Sequence, residues 1–312
     1  MKVLLTGGSG FVGQQILKLL KNQHDITCFG RQVPECWQGA FIKGELEKIE
    51  TTPFDLSGFD AVVHSAARAH IMQDTSNNPL DEYRKINTTS TVALAKRAAE
   101  HGVKRFVFIS SIKVNGESTI NTAFSACDQP NPSDDYGVSK AEAESLLLAL
   151  AEETGMEVVI IRPPLIYGPG VKANFASLFK IAGKGLPLPL GCIDKNLRSM
   201  VSIYNFIDFI NVCLMVPQAA NQVFLVSDGE DISIRHLVER LANLQGKAPW
   251  MIPVPLRLFQ LVGKLTGKTA VIDRLAGSLQ VDIQKNQRML NWKPPYTMQQ
   301  SLQRMMDELK YN

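Results

Sequence analysis

Short β-branched and apolar runs alternate with longer amphipathic stretches over the first two-thirds of the chain. Lys2–Thr6 reads as a buried strand. Val12–Lys21 reads as a helix with Val12, Ile16, Leu19 and Leu20 on one side, and Asp25–Gly30 as a second strand. Ala61–Ser65, Arg105–Ser110 and Glu157–Arg162 continue the strand series, and two long helical patterns, Leu80–His101 and Asp135–Thr154, lie between them. This rhythm predicts an α/β fold, a doubly wound parallel sheet covered by helices on both faces.

The texture changes after Arg162. Pro163-Pro164, Gly168-Pro169-Gly170 and the Gly- and Pro-rich Gly183–Leu190 break the alternation. Met200–Ser202 and Gln222–Val226 read as short strands, and Tyr204–Leu214, Ile232–Leu244, Leu256–Leu265 and Met298–Leu309 as helices. The expected division is a main domain over 1–166, to which 198–227 returns, and a smaller, mostly helical lobe from 167–197 and 228–312.

Composition narrows the function classes. The chain has 312 residues, 45% hydrophobic and 20% charged, as in an ordinary globular protein. A net charge of +3, with no basic run longer than Lys96-Arg97 or Lys104-Arg105, gives no case for nucleic acid. The five cysteines include no C-x-x-C pair, so free thiols in a reducing compartment are expected, and no metal site. No apolar stretch reaches the length of about 18 residues that a membrane span needs. The first residues are too short an apolar run for a signal peptide, so the cytoplasm is the expected location.

Thr6-Gly7-Gly8-Ser9-Gly10-Phe11-Val12-Gly13 joins the first strand to the first helix. Gly7, Gly10 and Gly13 suit a tight turn, close approach of backbone to a pyrophosphate, and close helix–strand packing. The helix N-terminus behind them offers free N–H groups to phosphates. At the end of the second strand, where an acidic residue would accept from a ribose 2′-OH, stand Gly30 and Arg31. A guanidinium grips a 2′-phosphate, so NADP(H) is favoured over NAD(H).

Tyr136 and Lys140 lie four apart at the start of a strong helical pattern, on one face and one turn apart. An ammonium near a phenol favours phenolate, so the expectation is a tyrosine acidified for proton exchange with a carbinol or ketone oxygen. Phe106–Ser111 is a buried strand ending in two hydroxyls, at the end of the sheet where cofactors bind.

These motifs resemble the extended short-chain dehydrogenase/reductase family. Thr6–Gly13 resembles its T-G-x-x-G-[FI]-[IV]-G, and Ser110–Gly116 resembles its S-S-x-x-V-[YN]-G, in which the second serine is catalytic. The resemblance implies that Ser111, Tyr136 and Lys140 are the catalytic set and that Lys140 also holds the nicotinamide ribose. It further implies that Glu45 and Leu46 bracket the adenine, that Ala66 and Ala67 let the cofactor lie against a strand end, and that Asn87 supports the active site. His64, beside that strand end, is expected to be structural.

Arg162–Gly170 and Arg198–Ile203 resemble segments of nucleotide-sugar enzymes, with Leu165 where the family often has asparagine. The resemblance implies that Arg198 holds a substrate pyrophosphate, with Arg274 as a candidate second phosphate arginine. Asn174 reads either as a helix cap or as a diphosphate contact. Asn291–Pro294 resembles a late L-G-W-x-P packing signature.

The subgroup resembled is that of nucleoside-diphosphate-sugar epimerases and 4-ketoreductases. The first expectation is an NADPH-dependent reductase acting on the C4 ketone of a UDP-linked 4-keto-6-deoxy-N-acetylhexosamine. The alternative is a UDP-hexose (UDP-glucose or UDP-N-acetylglucosamine) 4-epimerase with bound NAD. A non-catalytic NADPH-binding regulator is disfavoured because Ser111, Tyr136 and Lys140 are all present, and a small apolar ketone because Arg198 suits a phosphate. A homodimer through the two long helices is the family-level expectation.

Overall fold

The computed structural model describes residues 1–51, 54–69, 78–267 and 269–311. In chain order the elements are β1 (Lys2–Thr6), α1 (Phe11–Leu20), β2 (Asp25–Gly30), β3 (Phe41–Lys43), β4 (Ala61–His64), α2 (Pro79–Arg84), α3 (Ser90–Glu100), β5 (Arg105–Ile109), α4 (Asp135–Thr154), β6 (Glu157–Arg162), β7 (Leu165–Tyr167), α5 (Ala173–Ala182), β8 (Arg198–Ser202), α6 (Ile203–Met215), β9 (Gln222–Leu225), β10 (Asp231–Ile232), α7 (Ile234–Leu244), α8 (Leu256–Thr266), α9 (Thr269–Ala276), α10 (Gln284–Leu290) and α11 (Met298–Tyr311). A π-turn, Lys85–Thr89, joins α2 to α3.

Seven strands pair in the order β3-β2-β1-β4-β5-β6-β9, all in parallel. The order reverses between β1 and β4, which opens a crevice at the carboxyl ends of those two strands. Strand alternation divides the core. Val3, Leu5, Val63, Val107, Ile109, Val159 and Ile161 face α1 and α6, whereas Leu4, Val62, Phe106, Phe108, Val158 and Ile160 face α3 and α4. Both faces are covered, which is why these strands read as unbroken apolar runs.

The stretch expected to return to the main sheet divides in two. β9 pairs with β6, while β8 pairs with β7 and β10 in a separate three-stranded sheet. That small sheet and α5, α7 and α11 enclose a further core of Tyr167, Phe175, Leu237, Val238, Leu241, Met298 and Leu302. Trp292 packs on Phe209 at 4.7 Å between ring centres and donates its indole N–H to Asp208, the packing role expected of it. Among the described residues, no helix is long and apolar enough to cross a membrane.

Candidate active site

Gly7 and Gly13 are glycines for steric reasons. Gly7 has φ +77°, and a Cβ there would stand 2.6 Å from the backbone nitrogen of Ala66, across the switch point at the end of β4. A Cβ on Gly13 would lie 2.1 Å from the Gly7 carbonyl. Gly10 closes the turn by donating its N–H to that carbonyl at 2.9 Å and leads into α1. No side chain caps α1 and no acid lies in its first turn, so the helix end and the backbone around it suit a pyrophosphate. Phe11 and Val12, half-buried, open the helix, and Ala66 and the exposed Ala67 face it from β4.

β2 ends at Gly30, which pairs with Lys43 of β3, and the exposed Arg31 follows. A Cβ on Gly30 would meet nothing closer than 4.0 Å, so packing does not forbid a carboxylate here. Glu45 and Leu46 follow β3 on the same rim. Glu45 pairs with Lys48 at 3.2 Å, and Leu46 is half-buried against the core beneath α3.

β5 delivers Ser110 and Ser111 to the crevice, and α4 begins beside them. Asp134 caps α4 by accepting from the Gly137 N–H at 2.7 Å, and Lys113 is paired with the Asp134 carboxylate. This cap places Tyr136 in the first turn, with its phenol beside the Ser111 hydroxyl. Burial holds the Tyr136 phenol well above its usual range, against the opposing effect of Ser111.

The expected acidification of Tyr136 by Lys140 is therefore corrected: the phenol is raised. Lys140 Nζ donates to the Ile109 carbonyl at 2.9 Å and lies over the Phe108 ring. Lys140 is itself brought down to about 7 by desolvation, with Glu144 opposing. His64, stacked near Phe108, is held between the Thr6 and Thr91 hydroxyls at 2.8 and 2.9 Å. Burial, then the nearby Lys140, lowers it to about 3, so it stays neutral and structural.

Asn87 is fully buried in the π-turn. Its Oδ1 accepts from the Arg68 N–H at 2.8 Å, and its Nδ2 donates to the Arg68 carbonyl and to Ser139 Oγ at 3.1 and 3.0 Å. Ser139 in turn donates to the Tyr136 carbonyl. Asn87 thus ties the segment after β4 to the turn that carries Tyr136, and the irregular π geometry is what aims it there.

The substrate-side residues lie differently. Arg198 is engaged with backbone: its Nη1 donates to the Arg274 and Gly277 carbonyls at 2.8 and 3.1 Å, holding the end of α9, and burial lowers its pKa. The exposed Arg274 lies 3.7 Å from Glu117, which pairs with Lys113, so both arginines connect to the cap of α4 through that chain. Asn174 is not a cap. The α5 cap is Lys172, with no side-chain hydrogen bond, and Asn174 is exposed in the first turn.

Residues 3–216 match the NAD dependent epimerase/dehydratase family. The chain belongs to this family. It is 50% identical over 302 residues to a UDP-glucose 4-epimerase of Vibrio cholerae, across 96% of this chain and 92% of that protein. It is 29% identical over 321 residues to an N-acetyl-α-D-glucosaminyl-diphospho-ditrans,octacis-undecaprenol 4-epimerase of Escherichia coli O157:H7, across 97% and 94%. In fold it is similar to the UDP-glucose 4-epimerase of Thermotoga maritima solved with UDP-glucose, with a TM-score of 0.79 and 21% identity over 100% of this chain and 99% of that one. The family match ends just past α6, and α7–α11 lie beyond it.

One part of this epimerase/dehydratase site escaped the reading of single residues. Glu144, one further turn along α4 from Lys140, is 3% exposed. It accepts from Ser110 and, with both oxygens, from Arg162 Nε at 3.0 Å each. Arg162 also donates to Asn115 Oδ1 at 2.9 Å. The network locks β5, β6 and α4 together directly behind Ser111 and Lys140. The spacing Tyr136, Lys140, Glu144 places all three on one helix face, and that was the available signal.

Proposed function

We propose that this chain is a nucleotide-sugar 4-epimerase working through Ser111, Tyr136 and Lys140, the reading that the sequence placed second to a ketoreductase. The observation that carries it is the half-identical relative, matched over nearly the full length of both chains and named a UDP-glucose 4-epimerase. A UDP-hexose is the substrate class this supports.

In this reading the glycine loop and the α1 N-terminus hold the dinucleotide pyrophosphate, and Glu45, Leu46, Ala66 and Ala67 line the adenosine side. Asn87 fixes the segment behind it, and Lys140 binds the ribose hydroxyls. When bound, the dinucleotide supplies the hydride acceptor and donor. Ser111 donates a hydrogen bond to the sugar O4. As the phenolate, Tyr136 takes the O4 proton as C4 becomes a ketone and returns it after the keto sugar has turned over. Buried and protonated at rest, Tyr136 must first release its own proton to solvent, and Lys140, the cation one turn away, favours the phenolate that results. Arg198 and Arg274 would meet the substrate diphosphate once Arg198 releases the end of α9, and Asn174 lies on the same lobe. A homodimer through α3 and α4 belongs to the same reading.

A second reading, an NADPH-dependent 4-ketoreductase, is favoured by one observation: an open position at Gly30 holds no carboxylate, and Arg31 beside it is exposed. Identifying the nucleotide released from purified protein by mass spectrometry, and then supplying UDP-glucose or UDP-N-acetylglucosamine without added cofactor, separates the two. The epimerase reading expects the C4 epimer and retained dinucleotide. NADPH consumption on a keto sugar with no epimer reverses the order. Tyr136→Phe is expected to lose at least about 100-fold in turnover while keeping the dinucleotide. Arg31→Ala is expected to weaken NADPH about tenfold and NADH hardly at all, and equal losses remove the 2′-phosphate argument.

A further inference from the structure

The outer face of α8 is apolar and uncovered. Leu258, Leu261, Val262 and Leu265 are 50, 53, 49 and 78% exposed. Their spacing of three and four puts them in one stripe. The opposite side of the helix is anchored, with Phe259 against the lobe core and the buried Gly263 against Ile272. In the segment that leads into α8, Trp250 and Ile252 are 62 and 40% exposed, and Leu186 on the strand-like segment beside them is 55% exposed. Backbone hydrogen bonds of 2.8 Å join Leu188 to Trp250 and to Ile252.

The segments that carry this face hold cations and no acid, and the exposed Asp273 stands on α9, which packs against α8. Residues 170–193 and 247–267 contain Lys172, Lys180, Lys184, Lys247, Arg257 and Lys264 and no aspartate or glutamate, although without those six the rest of the chain is net acidic. All six are exposed. Lys247 lies against Gly185, which brings the two cationic segments together.

We propose that this face docks on the surface of an anionic phospholipid bilayer, with the α8 stripe and Trp250 in the headgroup boundary and the six cations over the lipid phosphates. An apolar helix face flanked by cations, with a tryptophan at its edge, has the chemistry of an interfacial helix. Each cation near an anionic surface strengthens binding about fivefold. A second copy of the chain fits poorly, because it would set the six cations against their own kind. Lipid binding is measured without turnover, so the proposal stands apart from the reaction assigned above.

The test is flotation of the full chain with vesicles of phosphatidylcholine and phosphatidylglycerol, and with phosphatidylcholine alone, following tryptophan fluorescence with and without Trp250→Phe. The expected result is binding to the anionic vesicles with a blue shift, weakened by salt and much weaker on neutral vesicles. Leu261→Gln with Leu265→Gln is expected to lower partitioning at least about tenfold. Lys247→Glu with Lys264→Glu, at two exposed positions, is expected to lower it by at least about 30-fold. The proposal is overturned by an absence of binding to anionic vesicles, or by binding that neither pair of substitutions changes. A concentration-dependent dimer lost in the leucine pair, or an acidic protein bound in place of lipid, likewise overturns it.

Discussion

The ground beneath the start of α4 and the outer face of α8 place charge and apolar surface in opposite ways. Behind Ser111 and Lys140, Arg162 and Glu144 are 4 and 3% exposed and satisfy each other, Ser110 and Asn115. On α8, leucines stand in water and the helix's own charges, Arg257 and Lys264, are exposed cations. Burying an ion pair is costly and becomes tolerable only when every donor and acceptor is matched, so the first arrangement makes sense as a rigid frame for the reacting groups. Leaving a stripe of leucines exposed contributes nothing to folding, so the second makes sense only as a surface for something else. The contrast separates residues that hold the site from residues that place the molecule.

Glu144→Ala tests the contrast most strongly. It strands the Arg162 guanidinium in the core and is expected to cost about 3–5 kcal/mol in urea unfolding. A loss below about 1 kcal/mol would mean that the network frames nothing. Lys140 gives a smaller, pH-dependent effect. It is protonated up to its usual 10.5 in the unfolded chain but only below about 7 in the fold. Between those values unfolding takes up a proton, so stability rises with pH, by at most about 1.4 kcal/mol per pH unit. Lys140→Met is expected to remove that slope, and unfolding midpoints at about pH 7.5 and about pH 9.5 compare the two proteins. A parallel pH response would show that Lys140 titrates normally. Smallest of all, Leu261→Gln with Leu265→Gln is expected to leave stability within about 0.5 kcal/mol. A larger loss would make the α8 face part of the core and erase the contrast.

How legible each part was follows from the range of the interactions behind it. The glycine loop was readable because its requirements are local: Gly7 and Gly13 are excluded from other identities by backbone a few residues away or directly across the switch point. Tyr136 and Lys140 were readable because helix geometry alone sets them on one face. Arg198 was read as a pyrophosphate ligand; that its Nη1 also donates to carbonyls about 80 residues further along the chain is something no local pattern announces. β8 was read as a strand correctly, yet its sheet was not determined by its own residues, since apolar runs pair with whichever edge the fold presents.

By itself the sequence determined the parallel sheet, the glycine turn after its first strand and the placing of Tyr136 and Lys140 on one helix face, because hydrophobic period, glycine sterics and helix spacing act over a few residues. Only the tertiary structure decided which charges are matched. It raised the Tyr136 phenol and lowered Lys140 by burying both, closed Arg198 onto α9, joined Glu144 to Arg162, and left the leucines of α8 facing outward. Those outcomes depend on desolvation and on partners brought together from distant segments, and such quantities exist only once the chain has folded.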